Sequence, residues 1–95
     1  MKIPKIIMIG GYRVKVRCVK DPEWCDSGDW DVWEQVIRIN TDGSTEDRQA
    51  DTLLHEITEA INSFANLGLT HVQIAILTTM LFATIRQNNL TFLEN

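Results

Sequence analysis

The sequence predicts an α+β fold, a small three-stranded β-meander followed by a two-helix hairpin, and three observations carry that expectation. Residues Tyr12 to Val19 alternate, with Val14, Val16 and Cys18 on one side and Arg13, Lys15 and Arg17 on the other. That period of two marks a strand with one buried face. Ala50, Leu53, Leu54, Ile57, Ile61 and Phe64 recur at three- and four-residue spacing, as in an amphipathic helix. Thr70-His71-Val72-Gln73 reads as a capping box, which opens a second and more uniformly apolar helix.

In chain order, Ile6 to Ile9 is a short apolar run closed by Gly10-Gly11, a hairpin-type turn signal. Asp21-Pro22 breaks the second strand. From Glu23 to Asp31 the chain is acidic and reads as a loop holding Trp24 and Trp30, with Trp33 just beyond. These tryptophans either form a protein-binding patch or, for at least two of them, fold back over the open face of the small sheet. Val36 to Asn40 is the third strand, ended by the turn Thr41-Asp42-Gly43. Ser44 or Thr45 can cap the first helix, with Glu46 and Asp47 favourable against the helix dipole in its opening turn. That helix runs to about Ala65 with Gly68 as its stop, and the second ends near Asn88. Apolar on most sides, the second helix is either core or a homodimer seam through Ile76, Met80 and Ala83.

A chain of 95 residues supports one domain, spanning 1–95, because a second core has no material left to build it. With 44% hydrophobic and 23% charged residues it has the composition of a soluble globular protein. A net charge of -4 argues against nucleic acid as a partner, and Arg13, Lys15 and Arg17 read as a solvated strand face. No secretory leader precedes Cys18 and Cys25, so both are expected as free, reduced thiols in a cytoplasmic protein. The longest apolar stretch, Val72 to Ile85, is interrupted by Gln73, Thr78, Thr79 and Thr84. It falls short of the roughly 20 apolar residues a membrane span needs, and no membrane partner is expected.

The chemistry concentrates in Leu53-Leu54-His55-Glu56-Ile57-Thr58-Glu59-Ala60-Ile61-Asn62. His55 and Glu59 are four residues apart, so they share a helical face away from the Leu54/Ile57/Ile61 stripe. An imidazole nitrogen and a carboxylate oxygen so placed can both reach one Zn2+ ion at about 2.0–2.2 Å. In the H-E-x-x-H helices of metalloproteases the intervening Glu is the general base, the position Glu56 holds here in an H-E-x-x-E string. A catalytic zinc wants a third protein ligand, and His71, the only other histidine, opens the second helix. An antiparallel hairpin can turn it back towards Glu59 and His55. The same string also reads as a solubilising polar face, with His71 an exposed or hydrogen-bonded residue.

The run Ala50-Asp51-Thr52-Leu53-Leu54-His55-Glu56-Ile57-Thr58-Glu59-Ala60-Ile61-Asn62 resembles the central helix of small phage-encoded zincin-like metallopeptidases. The strand Gln35-Val36-Ile37-Arg38-Ile39-Asn40 before it and Leu69-Thr70-His71-Val72-Gln73-Ile74 after it are similar too. The resemblance covers about Gln35 to Ile74 and, loosely, Ile3-Pro4-Lys5 and Gly10-Gly11-Tyr12. It implies a minimal zincin-like domain with His55, Glu59 and His71 as metal ligands and Glu56 as base. The activity implied is zinc-dependent hydrolysis of a peptide or protein substrate. An extended substrate would lie along Val36 to Asn40, with Tyr12, Arg48 or Asn62 stabilising the oxyanion. The alternative is a catalytically inactive zincin-like phage protein, used as a metal-binding or protein-interaction module.

Overall fold

The computed structural model describes residues 3–90. Its elements are β1 (Ile6–Ile9), β2 (Tyr12–Val19), β3 (Gly28–Asp31), β4 (Val36–Asn40), α1 (Glu46–Ala65) and α2 (His71–Gln87). The α+β class and both helices follow the expectation, but the sheet has four strands rather than three and is not a meander. Its order is β1-β2-β4-β3, with β1–β2 and β3–β4 antiparallel and β2–β4 parallel.

The additional strand, β3, lies inside the stretch that reads as an acidic loop. Gly and Asp have poor strand propensity, so Gly28-Asp29-Trp30-Asp31 carries little local signal. Pairing with β4 supplies what propensity does not. Trp30 sits opposite Ile37 on the inner face, and Asp29 opposite Arg38 on the outer one. Arg38 grips the Asp29 carboxylate with two guanidinium N–H groups, its Nε 2.9 Å from Oδ1, and stacks under Trp24 at 4.7 Å.

For β2 and β4 to run parallel, the connection from β2 to β3 must pass the end of β4. Asn40, buried there, organises that passage. Its Nδ2 donates to the carbonyls of Asp21 at 2.9 Å, Trp24 at 3.1 Å and Asp26 at 3.4 Å. Its Oδ1 accepts from the backbone N–H groups of Asp21 and Asp42. A polar side chain is stable in this buried place because all of its capacity is used.

The inner face of the sheet packs on α1. Ile9, Val14, Val16, Ile37, Ile39, Leu53 and Ala60 make the core, flanked by Trp30, Ile57 and Phe64. Cys18, on the same side of β2, is exposed near the strand end, and it and Cys25 are free thiols. The stripe of α1 that meets the sheet is Leu53, Glu56 and Ala60, with Ala50 and Thr52 beside it, rather than Leu54/Ile57/Ile61. Leu54 and Ile57 are only half-buried and Ile61 is exposed.

Thr45 caps α1, accepting from Arg48 N–H at 3.2 Å. The helix stops at Asn66 rather than Gly68. Asn66 adopts the left-handed conformation (φ 53°), which asparagine tolerates better than most residues, and its backbone N–H donates to the Asn62 carbonyl. The capping box at Thr70 forms as its sequence predicts. Among the described residues α2 packs on α1 and on no strand. Against α1 it buries Ile74 and Thr78 fully. Val72, Ile76, Leu77, Met80 and Leu81 are exposed. Among the described residues no helix is long and apolar enough to cross a membrane.

Candidate metal centre

One side of α1 carries Asp51, His55 and Glu59 at successive turns, and Thr52 and Glu56 lie between this line and the sheet. Opposite them stands the wall formed by Asp26, Ser27 and the first residues of β3, which encloses a cleft of about 640 Å³. This close approach depends on Gly28. A Cβ there would lie 2.6 Å from Thr52 Cγ2 and 2.7 Å from the Arg38 carbonyl oxygen. The sequence does not single out Gly28, because Ser27-Gly28 between Asp26 and Asp29 reads as an ordinary turn signal.

The second helix delivers His71 to the same place, and the turn before it shows how. Asn62 clamps the backbone of Leu69 from both sides, accepting from its N–H at 2.9 Å and donating to its carbonyl at 3.2 Å. Thr70 then caps α2 through reciprocal bonds with Gln73, so His71 is its first residue. Arg86 meets Asp47 at 2.5 Å across the far end of the antiparallel helical hairpin. His71 Nδ1 lies 2.9 Å from Glu59 Oε2, and His55 Nε2 lies 3.4 Å from the same oxygen. The two imidazole rings are 5.0 Å apart at 68°.

Three ligand-type atoms, one from each of these side chains, lie within 4.8 Å of one another. Tetrahedral bonds of about 2.0–2.1 Å require ligand atoms roughly 3.3 Å apart. The His55–Glu59 distance of 3.4 Å already matches that value, whereas the His71–Glu59 distance of 2.9 Å is that of a direct hydrogen bond. Small side-chain rotations would suffice to receive an ion. His55 and Glu59 are mostly covered, whereas the His71 side chain is 74% exposed, so access is from its side.

Glu56, beside this trio, is 7% exposed and accepts no hydrogen bond from the described residues. Its carboxyl lines the cleft. Burial is the main reason its pKa is pushed up to about 7; the charges of Glu59 and Asp29 add to the effect, and His71 opposes it. At neutral pH such a carboxyl can both take and return a proton.

Several expected roles fall elsewhere. Tyr12 stacks on Phe64 at 4.0 Å, Arg48 lines a separate recess with Asp21 and Asp42, and Asn62 is committed to Leu69. None of these three lines the cleft, and among the described residues no Lys, Arg or Tyr does. β4 lies between β2 and β3 and offers no free edge; the edge strand beside the cleft is β3. Trp30 enters the inner face edge-on to Phe64 (5.4 Å, 72°), with its buried Nε1–H unpartnered. Trp24 covers the outer face at Arg38, and Trp33 is 93% exposed. No protein-family model, no curated protein and no solved structure matches the chain.

Proposed function

We propose that this protein is a minimal zincin-like, zinc-dependent peptidase in which His55, Glu59 and His71 hold the metal and Glu56 is the general base. One observation carries the proposal. Imidazoles from two separately capped helices converge on a single carboxylate oxygen of Glu59, beside a buried and unpartnered carboxyl on a cleft wall. The donor set of two imidazoles and one carboxylate suits zinc, and its three ligand-type atoms lie within 4.8 Å of one another. The similarity of the α1 and Leu69–Ile74 segments to phage-encoded zincin-like metallopeptidases supports the same reading.

Zinc held there would supply Lewis acidity and lower the pKa of a water molecule towards about 7. Glu56 takes a proton on its carboxylate oxygen as water attacks the peptide carbonyl, then returns it to the leaving amine. Glu59, an anion where H-E-x-x-H sites have an imidazole, reduces the positive charge available to the carbonyl. The free edge of β3 is the place for an extended substrate to add main-chain hydrogen bonds. Free, exposed Cys18 and Cys25 support a reducing compartment, the cytoplasm of a host cell.

A second reading, a zincin-like module that binds metal or protein without cleaving it, is favoured by one feature. Among the described residues the cleft has no Lys, Arg or Tyr to meet a developing oxyanion. Glu56→Gln separates the two readings. Incubated with a mixed peptide library and read by mass spectrometry, the zinc-loaded wild type yields new termini. The Glu56→Gln variant retains zinc and yields none. A zinc-loaded wild type that leaves the library intact would support the binding module instead.

A further inference from the structure

The metal trio occupies only one end of the cleft. Four residues, about 6 Å, towards the N-terminus of α1 from His55 lies Asp51, and Asp26, just before β3, lines the same cleft. The cleft lining contains the carboxylates of Asp26, Asp51, Glu56 and Glu59, and among the described residues no Lys or Arg; Asp29 also lines it but turns its carboxylate to Arg38 on the outer face. Asp29 is neutralised by Arg38. The carboxylates of Asp26 and Asp51 have no hydrogen-bond or ion-pair partner among the described residues. Below them Glu56, 7% exposed and equally unpartnered, presents its carboxyl to the same space. The Glu56 oxygens are unpartnered by the described residues and open to the cleft, so the donor that fills them comes from the cleft side. A divalent ion at the trio compensates about two of the negative charges and leaves the far end anionic.

We propose that this end of the cleft is a specificity subsite for a cationic side chain, lysine or arginine, held by Asp26 and Asp51. The subsite deepens the peptidase reading, because the bound chain would then be a peptide with a basic residue near its scissile bond. An extended peptide advances about 3.3 Å per residue. A side chain one or two residues from the peptide bond at the metal trio therefore falls between Asp51 and Asp26. Lys and Arg bring several N–H donors on a long apolar stem, matching acceptors grouped beside Thr52 and Trp30 on the cleft walls.

The test is calorimetric binding at low ionic strength, on zinc-free and on zinc-loaded protein. The ligands are three otherwise identical short peptides carrying lysine, norleucine or glutamate at one position. The lysine peptide should bind about tenfold tighter than the norleucine peptide, and the glutamate peptide weakest. This order should hold without zinc, because it does not depend on the metal. Asp26→Asn/Asp51→Asn should abolish the lysine preference, whereas Glu23→Gln/Glu34→Gln, which removes the same charge from exposed sites, should leave it. Asp51→Lys should reverse the order in favour of glutamate, which no loss of folding can imitate. Equal affinities in the wild type, or a lysine preference that survives Asp26→Asn/Asp51→Asn, would overturn the subsite. A lysine preference on a protein that cleaves nothing would overturn the peptidase reading and leave the subsite standing.

Discussion

Replacing Glu56 with glutamine should stabilise the metal-free protein at neutral and alkaline pH, and by an amount that depends on pH. Glutamine keeps the shape of the side chain and removes a charge that burial opposes. The Glu56 carboxyl titrates at about 7 in the folded chain against an ordinary 4.5. Between those values the folded state holds a proton that the unfolded state has lost. Stability of the wild type therefore falls as pH rises from 4.5 to about 7, and stays at its reduced level above that. At 1.36 kcal/mol per pKa unit the full penalty is about 3 kcal/mol, and contact of the carboxyl with the open cleft trims it towards ~2 kcal/mol. For a chain of this size, that corresponds to a rise in melting temperature of roughly 10 °C. The assay is thermal or urea denaturation of wild type and Glu56→Gln in chelator, from pH 4 to pH 9. The two curves should coincide near pH 4 and separate progressively up to pH 7. Equal stability at pH 8, or a gap that does not change with pH, would refute the view of Glu56 as a buried, unpartnered carboxyl. Added zinc should narrow the gap, because a nearby cation favours the charged form.

Other consequences are equally specific. Gly28→Ala drives a methyl group to within 2.6 Å of Thr52 Cγ2 and 2.7 Å of backbone oxygen. It should cost about 1–3 kcal/mol in urea unfolding, where a glycine with room for a Cβ would show no such loss. Asn62→Ala leaves the N–H and carbonyl of Leu69 without their partner. Stability should fall by about 1–3 kcal/mol, and zinc affinity in a chelator competition should fall with it, because His71 loses its anchor. Unchanged affinity would mean that the turn does not position His71. Among the described residues α2 leaves Ile76 62% and Met80 64% exposed, and a homodimer through that helix would cover them. Light scattering should give a dimer mass for the wild type and a monomer mass for Ile76→Asp/Met80→Asp, and a monomeric wild type at micromolar concentration would dismiss the seam.

The parts of this fold that were legible in the sequence are those whose signal is local. β2 and both helices carry their periodicity in their own residues, and the Thr70–Gln73 capping box is a four-residue pattern. β3 has no such signal, since Asp29 and Asp31 are poor strand formers and become ordered only through β4 and Arg38. The parallel pairing of β2 with β4 was hidden for a similar reason. It depends on Asn40 holding a loop that begins 19 residues earlier in the chain. On α1 two stripes compete, because the helix is sandwiched between the sheet and α2. The sheet takes the stripe with small residues, Ala50, Thr52 and Ala60, which lets Gly28 approach. That choice turns Glu56 inward. The spacing of His55 and Glu59 was readable from helical geometry alone. The arrival of His71 depended on the Asn66 cap and the Asn62 clamp, which no periodicity reveals.

The most direct measurement is metal content by mass spectrometry on untagged protein, for the wild type and for His55→Ala, Glu59→Ala and His71→Ala. A three-ligand centre predicts about one zinc per wild-type chain and loss of that zinc in each single variant. Wild-type protein that stays metal-free after dialysis against micromolar zinc would contradict the centre. It would leave the Glu59–His71 contact as a hydrogen bond joining two helices and nothing more.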